Sequence, residues 1–124
     1  MTDPFEALEH VYFYYAEVVR WVDGDTVDLK VELGFHLTTE SRFRLYGIDT
    51  PERGRPGYKE AIEFVNTLAP VGTLVLIESH PPQDKYGRYL TRVYPIVTIH
   101  QAVEVGSTLI SAGLAVAYYG GTKQ

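Results

Sequence analysis

The stretch Arg44-Leu45-Tyr46-Gly47-Ile48-Asp49-Thr50-Pro51-Glu52 is the centre of the predicted architecture, because one cation and two acids surround the end of an apolar segment. Pro51 fixes φ and removes a backbone donor, so the chain is predicted to leave a sheet near Asp49. A rigid turn at a strand end holds acidic side chains in fixed directions, as a metal ion or a water nucleophile requires. The alternative is that residues 49–52 cap a following helix.

Three antiparallel strands are predicted up to this turn. Aromatic and β-branched residues predict a strand over residues 11–22, followed by a tight turn at Asp23-Gly24. Apolar and polar residues then alternate over 26–33, which indicates a half-buried strand with Asp25 at its start. Residues 34–41 are expected to form a polar connection, and residues 42–48 the third strand.

The period becomes helical over residues 57–69, and Pro70 ends that run. Short apolar segments predict further strands over 73–78 and 88–94, separated by Pro81-Pro82 and by a turn at residues 84–87. Residues 98–105 could pair back as an extra strand. Residues 106–112 are predicted as a short helix capped by Gly113.

This order, β-β-β-α-β-β-α, predicts an α+β protein that is mainly β. We expect a five-stranded OB-type barrel with a helix inserted after strand three and a short C-terminal helix. The length predicts a single domain over residues 1–124, with 1–10 as an N-terminal extension and 11–119 as the barrel core. Such barrels carry nucleic acids or oligosaccharides on one face, which limits the ligand class without fixing a reaction.

Composition excludes some kinds of site. The chain has no cysteine, so disulfides and thiolate metal sites are excluded. The net charge is −5, yet residues 41–92 hold eight bases against six acids, while residues 1–40 hold two bases against nine acids. A locally basic region beside a few carboxylates suits a phosphodiester ligand read through a metal. The acidic N-terminus and the lack of a long apolar run predict a soluble, cytoplasmic protein with no membrane partner.

Charged residues from four separate segments form a candidate site: Asp25, Arg44, Asp49 with Glu52, and Arg88. Carboxylates with carbonyl oxygens and water suit a hard divalent cation, Ca²⁺ or Mg²⁺, and zinc is disfavoured because the four histidines are far from these acids. The planar guanidinium of arginine can donate two parallel hydrogen bonds to the oxygens of one phosphoryl group, and it stays charged. A helix-loop-helix calcium module is disfavoured, because the acids do not follow its ligand spacing.

The chain resembles the thermonuclease family, the staphylococcal nuclease-like OB-fold nucleases. The resemblance covers roughly residues 18–119 and rests on four blocks in family order. They are Val22-Asp23-Gly24-Asp25-Thr26-Val27, Phe43-Arg44-Leu45 leading into Asp49-Thr50-Pro51-Glu52, Asp84-Lys85-Tyr86-Gly87-Arg88, and Gly113-Leu114-Ala115 followed by tyrosines.

The resemblance implies a calcium-dependent endonuclease that hydrolyses DNA, RNA or both, with Mg²⁺ the less favoured cation. It implies that Asp25, Asp49 and the Thr50 carbonyl bind the metal. Glu52 would act as or orient the general base, and Arg44 and Arg88 would clamp the phosphate.

By the same resemblance, Lys85, Tyr86 and one of two C-terminal tyrosines would line the nucleotide site. Spacing from Gly113 favours Tyr119 as the stacking residue, whereas the local order Val116-Ala117-Tyr118 favours Tyr118. Tyr86 is a strong candidate because it lies in a turn, while most other tyrosines and all four histidines have an ordinary packing or surface interpretation.

The sequence departs from the family pattern in a longer connection over residues 34–41, a shorter segment between Glu52 and the helix, and an early end after Gly120-Gly121. The packing of the family's C-terminal helix is then expected to fall to the N-terminal residues Phe5, Leu8 and Tyr12, to an oligomer, or to nothing. Two alternatives to a nuclease remain: a catalytically inactive barrel that only binds nucleic acid, and a structural interaction domain with a calcium site.

Overall fold

The computed structural model describes residues 12–80, 87–96 and 103–119. Within them the chain forms five long strands, two two-residue strands and two helices. The elements in chain order are β1 (Tyr12–Asp23), β2 (Thr26–Gly34), β3 (Leu37–Leu45), β4 (Ile48–Asp49), α1 (Tyr58–Leu68), β5 (Leu74–His80), β6 (Tyr89–Pro95), α2 (Val105–Ser111) and β7 (Val116–Ala117).

The five long strands close into a barrel in the order β1-β2-β3-β6-β5, with β5 pairing back to β1. The β3–β6 pair is parallel and the other four barrel pairs are antiparallel. The two-residue strands β4 and β7 pair separately. The predicted α+β class and five-stranded OB-type barrel are therefore confirmed, with α1 inserted after the third barrel strand and β4.

The predicted polar connection over residues 34–41 is wrong. Strands β2 and β3 continue through that segment and meet at a two-residue turn, Phe35-His36, in which both residues have positive φ (54° and 62°). Left-handed turns of this kind match the twist of a hairpin, although glycine or asparagine usually occupies them. Most side chains of both strands are exposed in this segment. The alternation of buried and exposed residues that marks a half-buried strand is therefore absent.

The core lies inside the barrel and under α1. Every second residue of β2 points into the core. Three of these residues are fully or almost fully buried: Val27, Leu29 and Val31. Ala61 and Val65, one helical turn apart, turn the apolar face of α1 inward. The Trp21 indole also donates a 2.9 Å hydrogen bond to the Ala69 carbonyl, which ties β1 to the end of α1.

The helix boundaries exclude the capping alternative for residues 49–52. Helix α1 begins at Tyr58, and its N-cap is Gly57 in the left-handed region (φ 92°), with no side-chain cap. Glu52 lies too far upstream to cap it. Helix α2 has Glu104 as its N-cap, whose carboxylate accepts from the Ser107 amide, and Gly113 with φ 76° follows its last turn.

The predicted extra strand over residues 98–105 lies largely outside the described residues, but Val105 itself begins α2. Over the three described ranges, no helix is both long enough and apolar enough to cross a membrane.

Candidate active site

The turn between β1 and β2 carries Asp25 to the end of β3. A Cβ on Gly24 would lie 2.7 Å from Ala61 Cβ and 3.2 Å from the Thr50 side chain, so only glycine lets the turn approach α1 this closely. Asp23 accepts a 2.7 Å hydrogen bond from the Tyr58 hydroxyl, which fixes the other side of the turn to the start of α1. The turn is thus held in place on both sides of Asp25.

Asp25 is 8% exposed, and both of its carboxylate oxygens are engaged. One accepts from the Thr26 hydroxyl at 3.0 Å, and the other from the Thr50 amide at 3.1 Å. Its backbone carbonyl accepts from the Leu45 amide at 2.8 Å. A buried carboxylate needs such partners, and here they also fix its direction toward the residue 44–50 segment.

Arg44 joins the two predicted metal-binding acids. Its Nη2 donates to Asp49 Oδ1 at 2.9 Å, and its Nη1 pairs with Asp25 Oδ2. The three side chains are only 11–12% exposed. Two neighbouring carboxylates would repel each other if no cation lay between them. The Arg44 guanidinium supplies that charge.

A second guanidinium lies beside this cluster. Arg88 Nη1 donates to the Thr26 hydroxyl at 3.4 Å, and the same hydroxyl donates to Asp25. Thr26 is 2% exposed, and its buried hydroxyl connects Arg88 to Asp25, the carboxylate that also pairs with Arg44. In the sequence, Thr26 is one member of the block over residues 22–27, and that block assigns no role to Thr26.

Glu52 lies at the exposed side of the same turn, two residues after Thr50. Its carbonyl accepts from the Arg55 amide at 2.9 Å, which makes residues 52–55 a tight turn. Glu52 is exposed and follows Asp49 by three residues. That position suits a group that accepts a proton.

The acid pair fits a hard divalent cation in part. Asp25 and Asp49 converge to the width of one guanidinium, and the Thr50 backbone lies between them. Ca²⁺ and Mg²⁺ take oxygen ligands and keep waters where the protein supplies few. Across the described ranges no three His, Cys, Asp or Glu side chains converge as a metal-binding group, so water would have to complete the shell.

The C-terminal tyrosines come to this site through β7. Strand β7 pairs with β4 by the register Ile48↔Ala117 and Asp49↔Val116, and the Tyr118 amide donates to the Gly47 carbonyl at 2.9 Å. Tyr118 is partly buried, whereas Tyr119 is 71% exposed and has its ring beside Gly47. Lys85 and Tyr86 lie outside the described residues.

One neighbouring cluster was missed by sequence analysis. Tyr46 stacks on His80, with ring centres 4.3 Å apart, and the Arg92 guanidinium lies 5.2 Å from the Tyr46 ring centre. His80 is therefore not an ordinary surface histidine, whereas His36 is exposed. His10 and His100 lie outside the described residues. These side chains meet because of the register between paired strands, and no short motif in the sequence indicates that register.

Two comparisons relate this chain to known proteins. The model of the staphylococcal nuclease homologue family matches residues 42–124. A relative, the uncharacterized protein MJ1439 of Methanocaldococcus jannaschii, is 32% identical over 130 residues, an alignment that covers 85% of this chain and 59% of that protein. The chain thus spans little more than half the length of this relative. With a five-stranded barrel and a family match over two thirds of its residues, the chain belongs to the staphylococcal nuclease homologue family.

Proposed function

We propose that the protein is a calcium-dependent endonuclease that hydrolyses phosphodiester bonds of DNA, RNA or both. The observation that carries this proposal is the bridging of Asp25 and Asp49 by Arg44, at a place that Arg88 also reaches through Thr26. An acid pair that could hold a cation and two arginines in one place suit phosphodiester hydrolysis, because both stabilise the charge that develops on the phosphoryl oxygens.

In this proposal Asp25, Asp49 and the Thr50 carbonyl hold the metal. When bound, the metal supplies Lewis-acid polarisation of a phosphoryl oxygen and offsets developing charge. Arg44 and Arg88 donate hydrogen bonds to the non-bridging oxygens, which gain charge as water adds. Lys85, Tyr86 and one C-terminal tyrosine position the nucleotide.

Glu52 is the proposed general base. It accepts a proton from the attacking water as the new P–O bond forms, and the bond from phosphorus to the 5′-oxygen breaks, leaving a 3′-phosphate. The leaving 5′-oxygen takes a proton from solvent water. The proposed role is consistent with the exposed position of Glu52, which solvent water can reach.

A second candidate is a barrel that binds nucleic acid without cutting it. One observation favours it: the described residues contain no cluster of three or more metal-binding side chains. A pure binding module, however, has no use for Asp25 and Asp49 facing a polyanion.

Hydrolysis of heat-denatured DNA and of RNA, each with calcium, with magnesium and with EDTA, tests the proposal. We expect cleavage with calcium, little with magnesium and none with EDTA. Arg44→Lys and Arg88→Lys should slow cleavage because lysine keeps the charge but loses the paired donors. The absence of cleavage under every metal condition, by protein with a normal melting curve that binds the same DNA, would establish the binding-only function instead.

A further inference from the structure

The outer half of the β2–β3 hairpin has an open edge along β3. On that side β6 pairs with β3 only over residues 43–45, so residues 37–42 have β2 as their one strand neighbour in the described part of the chain. Proteins protect such edges with lysine, proline or a bulge. The stretch Leu37-Thr38-Thr39-Glu40-Ser41-Arg42 contains neither lysine nor proline, and its register with β2 is regular from Arg42 to Thr38. The edge is therefore open to pairing with another strand.

The direction of the backbone groups alternates along β3 and identifies the residues that face the open edge. The Leu45 amide donates to a carbonyl on the β2 side, and the Tyr46 amide, which follows it, donates to the Thr91 carbonyl on β6. Even-numbered residues of β3 therefore turn their N–H and C=O groups away from β2. Thr38 and Glu40 each present both groups at a position where no described strand pairs with them.

Apolar side chains surround the tip of this hairpin. Leu33 and Leu37 are 45% and 60% exposed, and Phe35 in the turn is 94% exposed. Phe35 also has φ 54°, a left-handed conformation that is unfavourable for a bulky residue. At this exposure the ring has almost no packing among the described residues that could offset the strain. The tip therefore combines exposed apolar surface with an unfavourable backbone conformation.

We propose that this edge is a homodimer interface, in which two copies of β3 pair antiparallel about a two-fold axis at Thr39. Such an interface uses the same patch on both copies. Thr38 of each copy exchanges backbone hydrogen bonds with Glu40 of the other copy, so the outward groups of both residues are satisfied. This inference goes beyond the proposed nuclease function and does not depend on it.

Backbone direction and charge select this register. The residues that exchange hydrogen bonds must both be even-numbered, so each alternative shifts one strand by two residues. One shift places Glu40 opposite Glu40 of the second copy, where like charges repel. The other shift places Glu40 opposite His36, a turn residue that has left the strand conformation (φ 62°). In the proposed register Glu40 faces Thr38 and keeps Lys30 as its neighbour on β2.

The apolar tip is also covered in this register. Leu37 faces Ser41 of the second copy, on the side of the sheet that carries the core residue Phe43. Phe35 extends two residues further, toward the start of β6, where the Tyr89 ring is 48% exposed and packs on Phe43. A second copy therefore covers the edge and the tip together, and its own edge and tip are covered in return.

Sedimentation velocity of the unaltered protein from about 1 to about 100 µM tests the interface, since one strand pair with a few apolar side chains forms a small one. We expect a species of twice the 14.0 kDa chain mass to increase with concentration. Thr39→Lys and Thr39→Glu, each with a normal melting curve, should stay monomeric because like charges then meet at the axis. An equimolar mixture of these two variants should dimerise again. Thr67→Lys is the matched control, an exposed threonine on α1 whose replacement should leave dimerisation unchanged.

Cross-linking tests the position of the axis. Because the chain has no cysteine, Thr39→Cys adds a single thiol per copy. Facing residues of a non-hydrogen-bonded antiparallel pair have Cα atoms about 4.5 Å apart, which a disulfide can span. Brief oxidation should therefore link Thr39→Cys into a covalent dimer and leave Thr67→Cys largely unlinked. Unaltered protein that stays monomeric throughout the concentration range, like-charge variants that still dimerise, or equal cross-linking of the two cysteine variants would overturn the interface.

Discussion

Arg44 shows how much one side chain can determine at this site. The sequence alone predicts that the clustered acids repel in metal-free protein, so that neutralising one of them would stabilise the fold. The structure reverses that expectation, because Arg44 pairs with both Asp25 and Asp49. Each carboxylate therefore contributes an attraction to Arg44 in the absence of metal, in addition to its proposed role as a metal ligand.

Asp49→Asn should accordingly have two effects. Calcium affinity should fall at least tenfold, because an anionic ligand becomes neutral. Metal-free stability should fall by about 1 kcal/mol rather than rise, since the partly buried ion pair with Arg44 is lost. Calorimetric titration and thermal melting in EDTA measure the two effects. Asp28→Asn, which removes an acid outside the site, should leave calcium affinity unchanged, and unaltered calcium affinity in Asp49→Asn would remove Asp49 from the metal site.

Glu52→Gln separates a proton acceptor from a structural acid. Because Glu52 does not cap α1, its replacement should change stability by no more than about 0.5 kcal/mol, as for most surface positions. Single-turnover cleavage at saturating calcium should fall by roughly 10²- to 10⁴-fold, since an amide cannot take the water proton.

The matched control for Glu52 is Glu63→Gln, an exposed acid on α1 that should cleave at the normal rate. A loss below about tenfold in Glu52→Gln that still binds calcium and nucleotide would refute the base assignment and leave the metal site standing.

At the residue level, sequence predicted the acids and arginines that the structure brings together, because each lies in a local motif. Thr26 could not be assigned in the same way, since its role depends on the approach of Arg88 from a distant segment. Tyr46 and Arg92 likewise become neighbours only through the pairing of β3 with β6.

The β1–β2 turn is the element on which the site depends most. Gly24→Ala places a Cβ against Ala61 and Thr50, so either the turn or the start of the site must shift. We expect a loss of about 1–3 kcal/mol, typical of overpacking, together with weaker calcium binding because Thr50 and Asp25 move apart.

Gly34→Ala is the control for this turn, because Gly34 has positive φ but a Cβ added there would meet no atom within 4 Å. It should lose about 1 kcal/mol through backbone strain and bind calcium normally. Melting curves and calcium titrations of both variants make the comparison. Normal calcium binding by Gly24→Ala would show that the turn does not hold the site.

At the level of elements, the helix and strand patterns with a buried face were predicted well. The helical period of residues 57–69 survives as α1, and the barrel strands follow the alternating segments. The antiparallel pairing of β2 with β3 was predicted, but its outer half over residues 34–41 was missed, because that half is exposed on both faces and so shows no alternation of apolar and polar residues. Its turn also uses Phe35 and His36 in place of the usual glycine or asparagine.

For the molecule as a whole, ion pairs between neighbouring barrel strands make the stability of the fold depend on pH. Arg42 donates to Asp28 at 2.8 Å, and this hydrogen bond, with the charges of Arg42 and Arg20, lowers the pKa of Asp28 below its ordinary value of 3.8. The stabilisation that the Asp28 carboxylate contributes is therefore fully present at pH values above its ordinary pKa. It is lost as the pH falls through the lowered pKa.

Asp28→Asn should therefore melt about 2–4 °C below the unaltered protein at pH 7, since pairs of this kind contribute up to about 1 kcal/mol. The difference should shrink toward zero near pH 2, where both proteins lack the charge. Thermal melting of the two proteins across this range provides the measurement. A difference that is the same at both ends of the range would show that the charge of Asp28 contributes nothing.

The parallel seam between β3 and β6 also bears on how the chain folds. Its three register pairs, Phe43↔Tyr89, Arg44↔Leu90 and Leu45↔Thr91, join segments that are separated by α1 and β5. Pairing between distant segments costs loop-closure entropy before any contact is gained. The hairpins should therefore form first and the β3–β6 pair late. Arg44 and Arg88 stand on opposite sides of the seam. A partly folded chain would therefore lack the proposed phosphate clamp, and the proposed cutting activity would appear only in molecules that have completed the barrel.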